Sequence, residues 1–226
     1  MKRFITTVAL VVGLIAAIGG PAVAVGTSSP ARAKPGTTAV SLTAKPAIVT
    51  WGQTTTFTGK VTGSGAATTV EIQRDPYPFG DGFAMQRSIA TAKNGSFSVA
   101  LLATVNTQYR AVATGPNAAT SPTVLVRVRP KVGLSLSTAT PTAGSTVRFF
   151  GSVKPPHDAS PVSIQKRTAT GSWTTVARAV LRAAGTTRSA YSKLVTIRRA
   201  GTYRVKIAAH GDHLSGVSRE RTITPR

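Results

Sequence analysis

The sequence predicts an all-β protein made of two antiparallel β-sandwiches in tandem, and three observations lead to that fold class. The first is an internal repeat, because the residues from Val132 onward match those from Val40 onward at a shift of 92. The second is that apolar and polar residues alternate in short segments, as in strands with one buried face. The third is that turn-forming Gly, Pro, Asn and Ser separate these segments, of which there are about seven per copy.

The repeat defines two domains. VEIQR at 70–74 corresponds to VSIQK at 162–166, and FTGKV at 57–61 corresponds to FFGSV at 149–153. Further along the chain the shift becomes 94 and pairs Tyr109 with Tyr203. We therefore predict a duplicated domain, with a first copy at residues 39 to 130 and a second copy at residues 131 to 226.

The predicted strands follow the same order in both copies. Those of the first copy are centred on segments at 40–42, 57–61, 70–72, 85–89, 97–101, 109–113 and 124–128. Those of the second copy are centred at 132–136, 147–149, 162–164, 173–176, around Tyr191, at 203–207 and near Ile223. Tyr109 and Tyr203 each begin the penultimate strand, where sandwich domains use a tyrosine either as a hydrogen-bonding corner or as a packing aromatic.

Several segments of the second copy resemble a known class of domain. They are VRFFGSV at 147–153, VSIQKR at 162–167, GSWTTV at 171–176, GTYRV at 201–205 and DHLSGVS at 212–218. Their order resembles the bacterial immunoglobulin-like repeats of secreted proteins from high-GC bacteria. The resemblance covers both copies, with Phe83 where the second copy has Trp173. It implies an immunoglobulin-like fold for each sandwich, and roles as stalks, spacers, or wall- and polymer-binding modules.

The N-terminal residues predict export. A basic start is followed by an apolar run at 4–18 and by Ala22-Val23-Ala24, the small-x-small pattern of a signal-peptide cleavage site. We therefore predict a signal peptide at residues 1 to 24 and an extracellular or cell-wall location. A second possible cleavage site follows Ala33. A retained membrane anchor is the alternative, but the run is short for a bilayer-spanning helix, so no stable membrane anchor is expected.

Two segments are predicted to connect the folded parts. Residues 25 to 38 are rich in Pro, Gly, Ser and Thr without apolar periodicity, which indicates a flexible lead. Only Arg129, Pro130 and Lys131 separate the two predicted sandwiches, and such a short linker should limit their relative motion.

No enzymatic motif is convincing, and we predict no enzyme and no cofactor. Ser163 and Lys166 match the Ser-x-x-Lys motif of penicillin-recognising enzymes, but a predicted strand places positions i and i+3 on opposite faces. Glycosidase chemistry needs two carboxyl groups facing each other, and the chain has only six acidic residues. Asp75 and Asp81, in the loop before Phe83, fit no calcium-loop spacing and are predicted to be turn formers.

His210, Asp212 and His213 are the strongest candidates for a metal site. Two histidines and an aspartate within four residues can supply three ligands, and a loop at His157 could add another. Turn chemistry at Gly211-Asp212 explains the same residues without a metal, and this interpretation is favoured. A metal-dependent enzyme that uses His210 and His213 is the least favoured function.

Charge is the strongest functional signal. The formal net charge is +22. The first copy has eight basic and three acidic residues, a net of +5, whereas the second has sixteen and three, a net of +13. Alternation directs several cations outward, and we predict anion binding by Arg148, Arg198, Arg199, Arg204 and Lys206.

The expected partner is an anionic cell-wall polymer or another extracellular polyanion. Specific nucleic-acid binding is not expected, because reading motifs are absent and aromatic residues are sparse. The sequence therefore predicts a non-enzymatic binding or spacer module at the cell surface. The alternative is a purely structural spacer, or an accessory module of a secreted assembly, whose charge serves solubility.

Overall fold

The computed structural model describes residues 37 to 63 and 67 to 226, and this part of the chain is entirely β, without a helix. It accordingly holds no helix that could cross a membrane. The predicted signal peptide, the apolar run at 4–18 and most of the lead lie outside the described residues.

Nine strands form the first sandwich. They are β1 (Ala39–Lys45), β2 (Ile48–Thr50), β3 (Thr54–Thr62), β4 (Thr69–Pro76), β5 (Ala84–Ala90), β6 (Ser96–Leu102), β7 (Thr107–Ala113), β8 (Ala119–Thr120) and β9 (Val124–Arg129). One sheet has the order β1-β3-β6, and the other has the order β2-β9-β7-β4-β5 with β8 beside β7.

Ten strands form the second sandwich. They are β10 (Lys131–Val132), β11 (Ser135–Leu136), β12 (Thr146–Lys154), β13 (Pro161–Arg167), β14 (Trp173–Val180), β15 (Arg182–Ala183), β16 (Ser189–Thr196), β17 (Gly201–Ile207), β18 (Gly216–Val217) and β19 (Arg221–Ile223). One sheet has the order β10-β12-β16-β15 with β11 beside β12, and the other has the order β14-β13-β17-β18 with β19 beside β17.

The structure confirms the predicted fold class of two tandem, immunoglobulin-like sandwiches. The pairings between these strands are antiparallel, with one exception: β2 runs parallel to β9. Shared irregularities support the duplication, because β4 against β5 and β13 against β14 have register shifts at equivalent positions.

Each sandwich has its own core, built from the inward residues that alternation predicts. In the first, the ring of Tyr109 packs 4.5 Å from that of Phe57, and in the second the ring of Tyr203 packs 5.3 Å from that of Phe149. Both tyrosines are therefore packing aromatics, and burial raises the pKa of each phenol. The tyrosine that bonds to distant backbone is Tyr191, whose hydroxyl donates to the Gly133 carbonyl at 2.7 Å.

The two sandwiches meet at a joint built from loops, and Asn106 lies at its centre. The side chain of Asn106 accepts a hydrogen bond from Val128 N at 2.9 Å and donates one to the Gly211 carbonyl at 3.0 Å. Its backbone N–H donates to the Asp212 carbonyl at 2.8 Å. Between β9 and β10 only Pro130 remains, and it is buried. The short linker and these hydrogen bonds together fix the joint.

The loop between β4 and β5, which is two residues longer than its counterpart, belongs to this joint. The ring of Tyr77 packs so closely on Gly211 that a Cβ there would collide with it. Asp75, predicted as a loop residue, is instead the last but one residue of β4, where it is 4% exposed and accepts a hydrogen bond from Gly80 N at 3.0 Å. The carboxylate thus shapes the loop that carries Tyr77.

Candidate functional site

The five predicted anion-binding residues lie on three separate parts of the second sandwich. Arg204 and Lys206 project from the outer face of β17, because Tyr203, Val205 and Ile207 turn inward. The exposed Arg198 and Arg199 occupy the connection from β16 to β17. The exposed Arg148 lies on β12, in the opposite sheet of the sandwich.

Arg178 joins Arg204 and Lys206 on the same sheet face. Ser163 on β13 lies directly opposite Arg178 on β14 and directly opposite Lys206 on β17. Residues opposite each other in a sheet share a face, so Arg178 and Lys206 flank Ser163 on both sides. We call Arg178, Arg204 and Lys206 the basic face.

Arg204 is held in position by two neighbours. Its Nε–H donates to the Gln165 side-chain oxygen at 2.9 Å, and its guanidinium carbon lies 4.1 Å from the centroid of the Trp173 ring. The hydrogen bond and the cation–π contact fix the direction of the guanidinium. Part of its fork remains free to meet an anion, since a guanidinium carries five N–H donors.

The first sandwich contains the same arrangement without the surplus charge. Arg110 donates its Nε–H to Gln73 at 2.9 Å and lies 4.2 Å from the centroid of the Phe83 ring. The central position of that face is Glu71, which Ser88 and Val112 flank on the neighbouring strands. Four positions are thus equivalent between the two faces. The formal charge is zero over Glu71, Ser88, Arg110 and Val112 in the first sandwich, and +3 over Ser163, Arg178, Arg204 and Lys206 in the second.

Arg198 and Arg199 line a different feature, an open cleft of about 580 Å³ at the edge of the second sandwich. Lys166 and Tyr203 also line it. The Lys166 ammonium donates to the Arg199 carbonyl at 3.4 Å and lies 5.6 Å from the centroid of the Tyr203 ring. The cleft therefore gathers three cations, but they belong neither to the basic face nor to the sheet of Arg148.

The Ser-x-x-Lys pair does not form a catalytic arrangement. Ser163 lies on the outer face of β13 between two cations, whereas Lys166 is paired with the inward-facing Tyr203. The strand therefore separates the hydroxyl and the amine, as its periodicity predicts.

The candidate metal ligands do converge, but with a different third member. Asp212 and His213 come together with His157, and one ligand atom from each lies within 4.8 Å of the others. His210 forms a backbone bridge with His213, and its ring centroid lies 5.4 Å from that of His157. His213 also reaches the first sandwich, because its Nε2–H donates to the Thr104 carbonyl at 2.8 Å.

The sequence analysis missed one member of these sites and gave another only a minor place. The register shift in β14 obscures the alternation that would place Arg178 outward, although the repeat could have found it, since Arg178 aligns with Ser88 at the shift of 90 that pairs Phe83 with Trp173. His157 is predicted only as a possible additional ligand, because no local pattern shows that its loop folds against the distant His213.

Comparison with known proteins gives only distant similarity. No protein-family model and no curated protein matches the chain. Among solved structures it is similar to red sea bream transglutaminase (10% identity, TM-score 0.44, 83% of this chain and 31% of that one). It is also similar to a tetra-tandem repeat from the extending region of a large adhesion protein (17% identity, TM-score 0.37, 82% of this chain and 48% of that one). A third similar structure is bovine butyrophilin (10% identity, TM-score 0.40, 82% of this chain and 98% of that one). The chain thus spans about a third of the length of the transglutaminase and about half of the length of the adhesion-protein repeat. No function follows from similarity this low.

Proposed function

We propose that the protein is an exported, non-enzymatic module that binds an anionic wall polymer through the basic face of its second sandwich. The observation that carries this proposal is the contrast between equivalent sheet faces. Four equivalent positions carry a net charge of zero in one sandwich and +3 in the other.

The surplus charge is not a requirement of the fold. The first sandwich forms the same sheet with Ser88 and Val112 where the second has Arg178 and Lys206. Placing two cations beside one strand raises their mutual repulsion and adds nothing to the core. Electrostatic repulsion that the fold does not require is typical of residues that serve binding.

The shape of the face favours a polymer over a small anion. Neighbouring strands lie about 4.8 Å apart, so the cations of β14 and β17 are separated by roughly 10 Å along an open sheet. A small anion needs a concave site with converging donors. A chain of repeated phosphates can instead contact successive cations across a flat surface.

The full chain and poly(glycerol phosphate) at physiological salt provide the test. We expect R178S/K206V, which introduces the residues of the first sandwich, to weaken binding about tenfold, as two exposed charge contacts together contribute about 1–2 kcal/mol. The charge-matched control R148S/R182S removes two cations from the opposite sheet. It should change affinity little, because the sheets are about 10 Å apart and the screening length is about 8 Å.

Equal losses in the two double variants would show that total charge, rather than the basic face, attracts the polymer. Absence of binding by the unmodified chain would overturn the proposal altogether. The reverse exchange E71S/S88R/V112K in the first sandwich sharpens the test, since it should create a second binding face.

A structural spacer is the second candidate function, and the joint favours it. The two sandwiches are connected by one buried proline and by hydrogen bonds from Asn106 to Gly211 and Asp212. A spacer has to hold its two ends at a fixed separation, and such a joint limits hinge motion. Equal rotational correlation times of the two sandwiches in NMR relaxation would support this role, and independent tumbling would exclude it.

A further inference from the structure

We propose that His157, Asp212 and His213 form a zinc site that rigidifies the joint between the two sandwiches. This inference is independent of polymer binding and rests on the convergence of three ligand groups from two loops. His157 comes from the connection between β12 and β13, whereas Asp212 and His213 come from the connection between β17 and β18. One ligand atom from each lies within 4.8 Å of the others.

The hydrogen bonds of the two histidines fix which nitrogen atoms are available. A carbonyl oxygen only accepts, so the 2.8 Å contacts require His157 Nδ1 to donate to Pro155 O and His213 Nε2 to donate to Thr104 O. The remaining atoms, His157 Nε2 and His213 Nδ1, are then the ones that can offer lone pairs. Zinc-binding histidines characteristically donate their second ring N–H to a carbonyl or carboxylate in this way.

Both remaining nitrogen atoms are buried. His157 is 8% exposed and His213 is 1% exposed. His157 Nε2 has no hydrogen-bond partner among the described residues, whereas His213 Nδ1 forms no hydrogen bond of good geometry but lies beside the Asp212 carboxylate. A buried nitrogen without a hydrogen bond is costly, and two of them close to one carboxylate form a set of lone pairs that suits a cation.

The position of Asp212 also favours a cation. Its Oδ2 lies 2.8 Å from His213 Nδ1, and two groups that offer only lone pairs repel each other at this distance. The contact is favourable if a proton or a metal ion lies between them. A proton on His213 would satisfy Asp212 but would leave His157 Nε2 without a partner, whereas a metal ion satisfies all three groups.

The ligand chemistry selects zinc. Two neutral imidazoles and one carboxylate form a nitrogen- and oxygen-rich set, which suits Zn²⁺ at bond lengths of about 2.0–2.2 Å. The Asp212 side chain is 39% exposed, so it can move toward the two histidines. The site adjoins Thr104 of the first sandwich, and a bound ion would therefore stiffen the contact between the sandwiches.

Zinc titration of the purified full chain, first stripped with a chelator, tests the proposal. We expect one Zn²⁺ per chain and a higher melting temperature with zinc than without it. H157Q and D212N should each lower zinc affinity by at least about tenfold. D158N is the matched control, because Asp158 lies in the same loop but accepts a hydrogen bond from Ser189, and it should retain zinc binding.

Cobalt absorption supplies a second readout, since Co²⁺ in a tetrahedral site gives intense visible bands that H157Q and D212N should abolish. Absence of stoichiometric zinc binding would overturn the proposal. Binding that H157Q and D212N leave unchanged would also overturn it, because the metal would then lie elsewhere. Far-UV circular dichroism checks that each variant is folded.

Discussion

The two sandwiches bury equivalent residues but present different chemistry on equivalent outer faces. Ile72 and Ile164 are both fully buried at the same position of the core. One residue before each, Glu71 is replaced by Ser163, and the neighbouring strands gain Arg178 and Lys206. Packing therefore preserved the interior after duplication, while the outer face was free to change. Differences on that face therefore inform about function rather than folding.

The largest expected effect concerns a feature that both sandwiches share. A Cβ on Gly151 would collide with the Gly133 carbonyl and would lie 2.9 Å from the Tyr191 hydroxyl. We expect G151A to lower the free energy of unfolding by about 3 kcal/mol, the upper range for overpacking. Urea unfolding of the full chain measures this.

G59A is the matched variant in the first sandwich, where a Cβ would collide with the Ser41 carbonyl and the Phe97 ring. A similar loss in both variants would support equal constraints on the two interiors. A loss in only one would show that the equivalence of the cores does not extend to their energetics.

The next effect concerns a feature that only the first sandwich has. Asn106 aligns with Ala200 in the second sandwich, so N106A exchanges the residue between copies. The variant leaves Val128 N–H without its buried acceptor and removes the hydrogen bond to Gly211. We expect a loss of about 2 kcal/mol and faster relative motion of the sandwiches by NMR relaxation.

An N106A protein with unchanged interdomain motion would show that Pro130 and the Tyr77 contact hold the joint without Asn106. Its reciprocal, A200N in the second sandwich, is the control, because Ala200 is exposed and the substitution should change stability little.

The smallest effect concerns Tyr191, where the first sandwich has Phe97. Y191F leaves the Gly133 carbonyl without its hydroxyl donor, and we expect a loss of about 1 kcal/mol at neutral pH. Burial raises the pKa of the Tyr191 phenol well above its ordinary value of 10.0. The unfolded chain therefore ionises first, so this contribution to stability is complete below pH 10 and falls as the pH rises further.

Y191F removes that contribution, so its stability should fall less steeply than that of the unmodified protein above pH 10. Urea unfolding at pH 8 and pH 11 measures the difference. If the free energy of unfolding falls equally in both proteins between pH 8 and pH 11, Tyr109 and Tyr203 account for the loss of stability at alkaline pH. Burial raises the phenol pKa of these two tyrosines as well.

The sequence was sufficient for most of the fold and for only part of the sites. Alternation predicts which side of β17 carries Arg204 and Lys206, because period two is a local property of the strand. The repeat predicts two cores, since equivalent apolar positions recur. Neither signal predicts that Arg148 lies on the opposite sheet, because assignment of strands to sheets depends on contacts between distant segments.

Long-range contacts also explain what was missed at the joint. Tyr77 lies in the loop for which the sequence predicts only turn formers, and its contact with Gly211 exists only in the folded protein. His157 joins Asp212 and His213 for the same reason. Loops have no periodicity, so the partners of their side chains cannot be predicted from a single sequence.

The asymmetry of the joint has a consequence for the order of the two sandwiches. The first supplies Tyr77 and Asn106, and the second supplies the Gly211 turn that receives them. The second has a shorter loop in place of the one that carries Tyr77, and Ala200 in place of Asn106. The copies are therefore not interchangeable. A protein with the order of the two sandwiches reversed would retain both cores but would lose this connection.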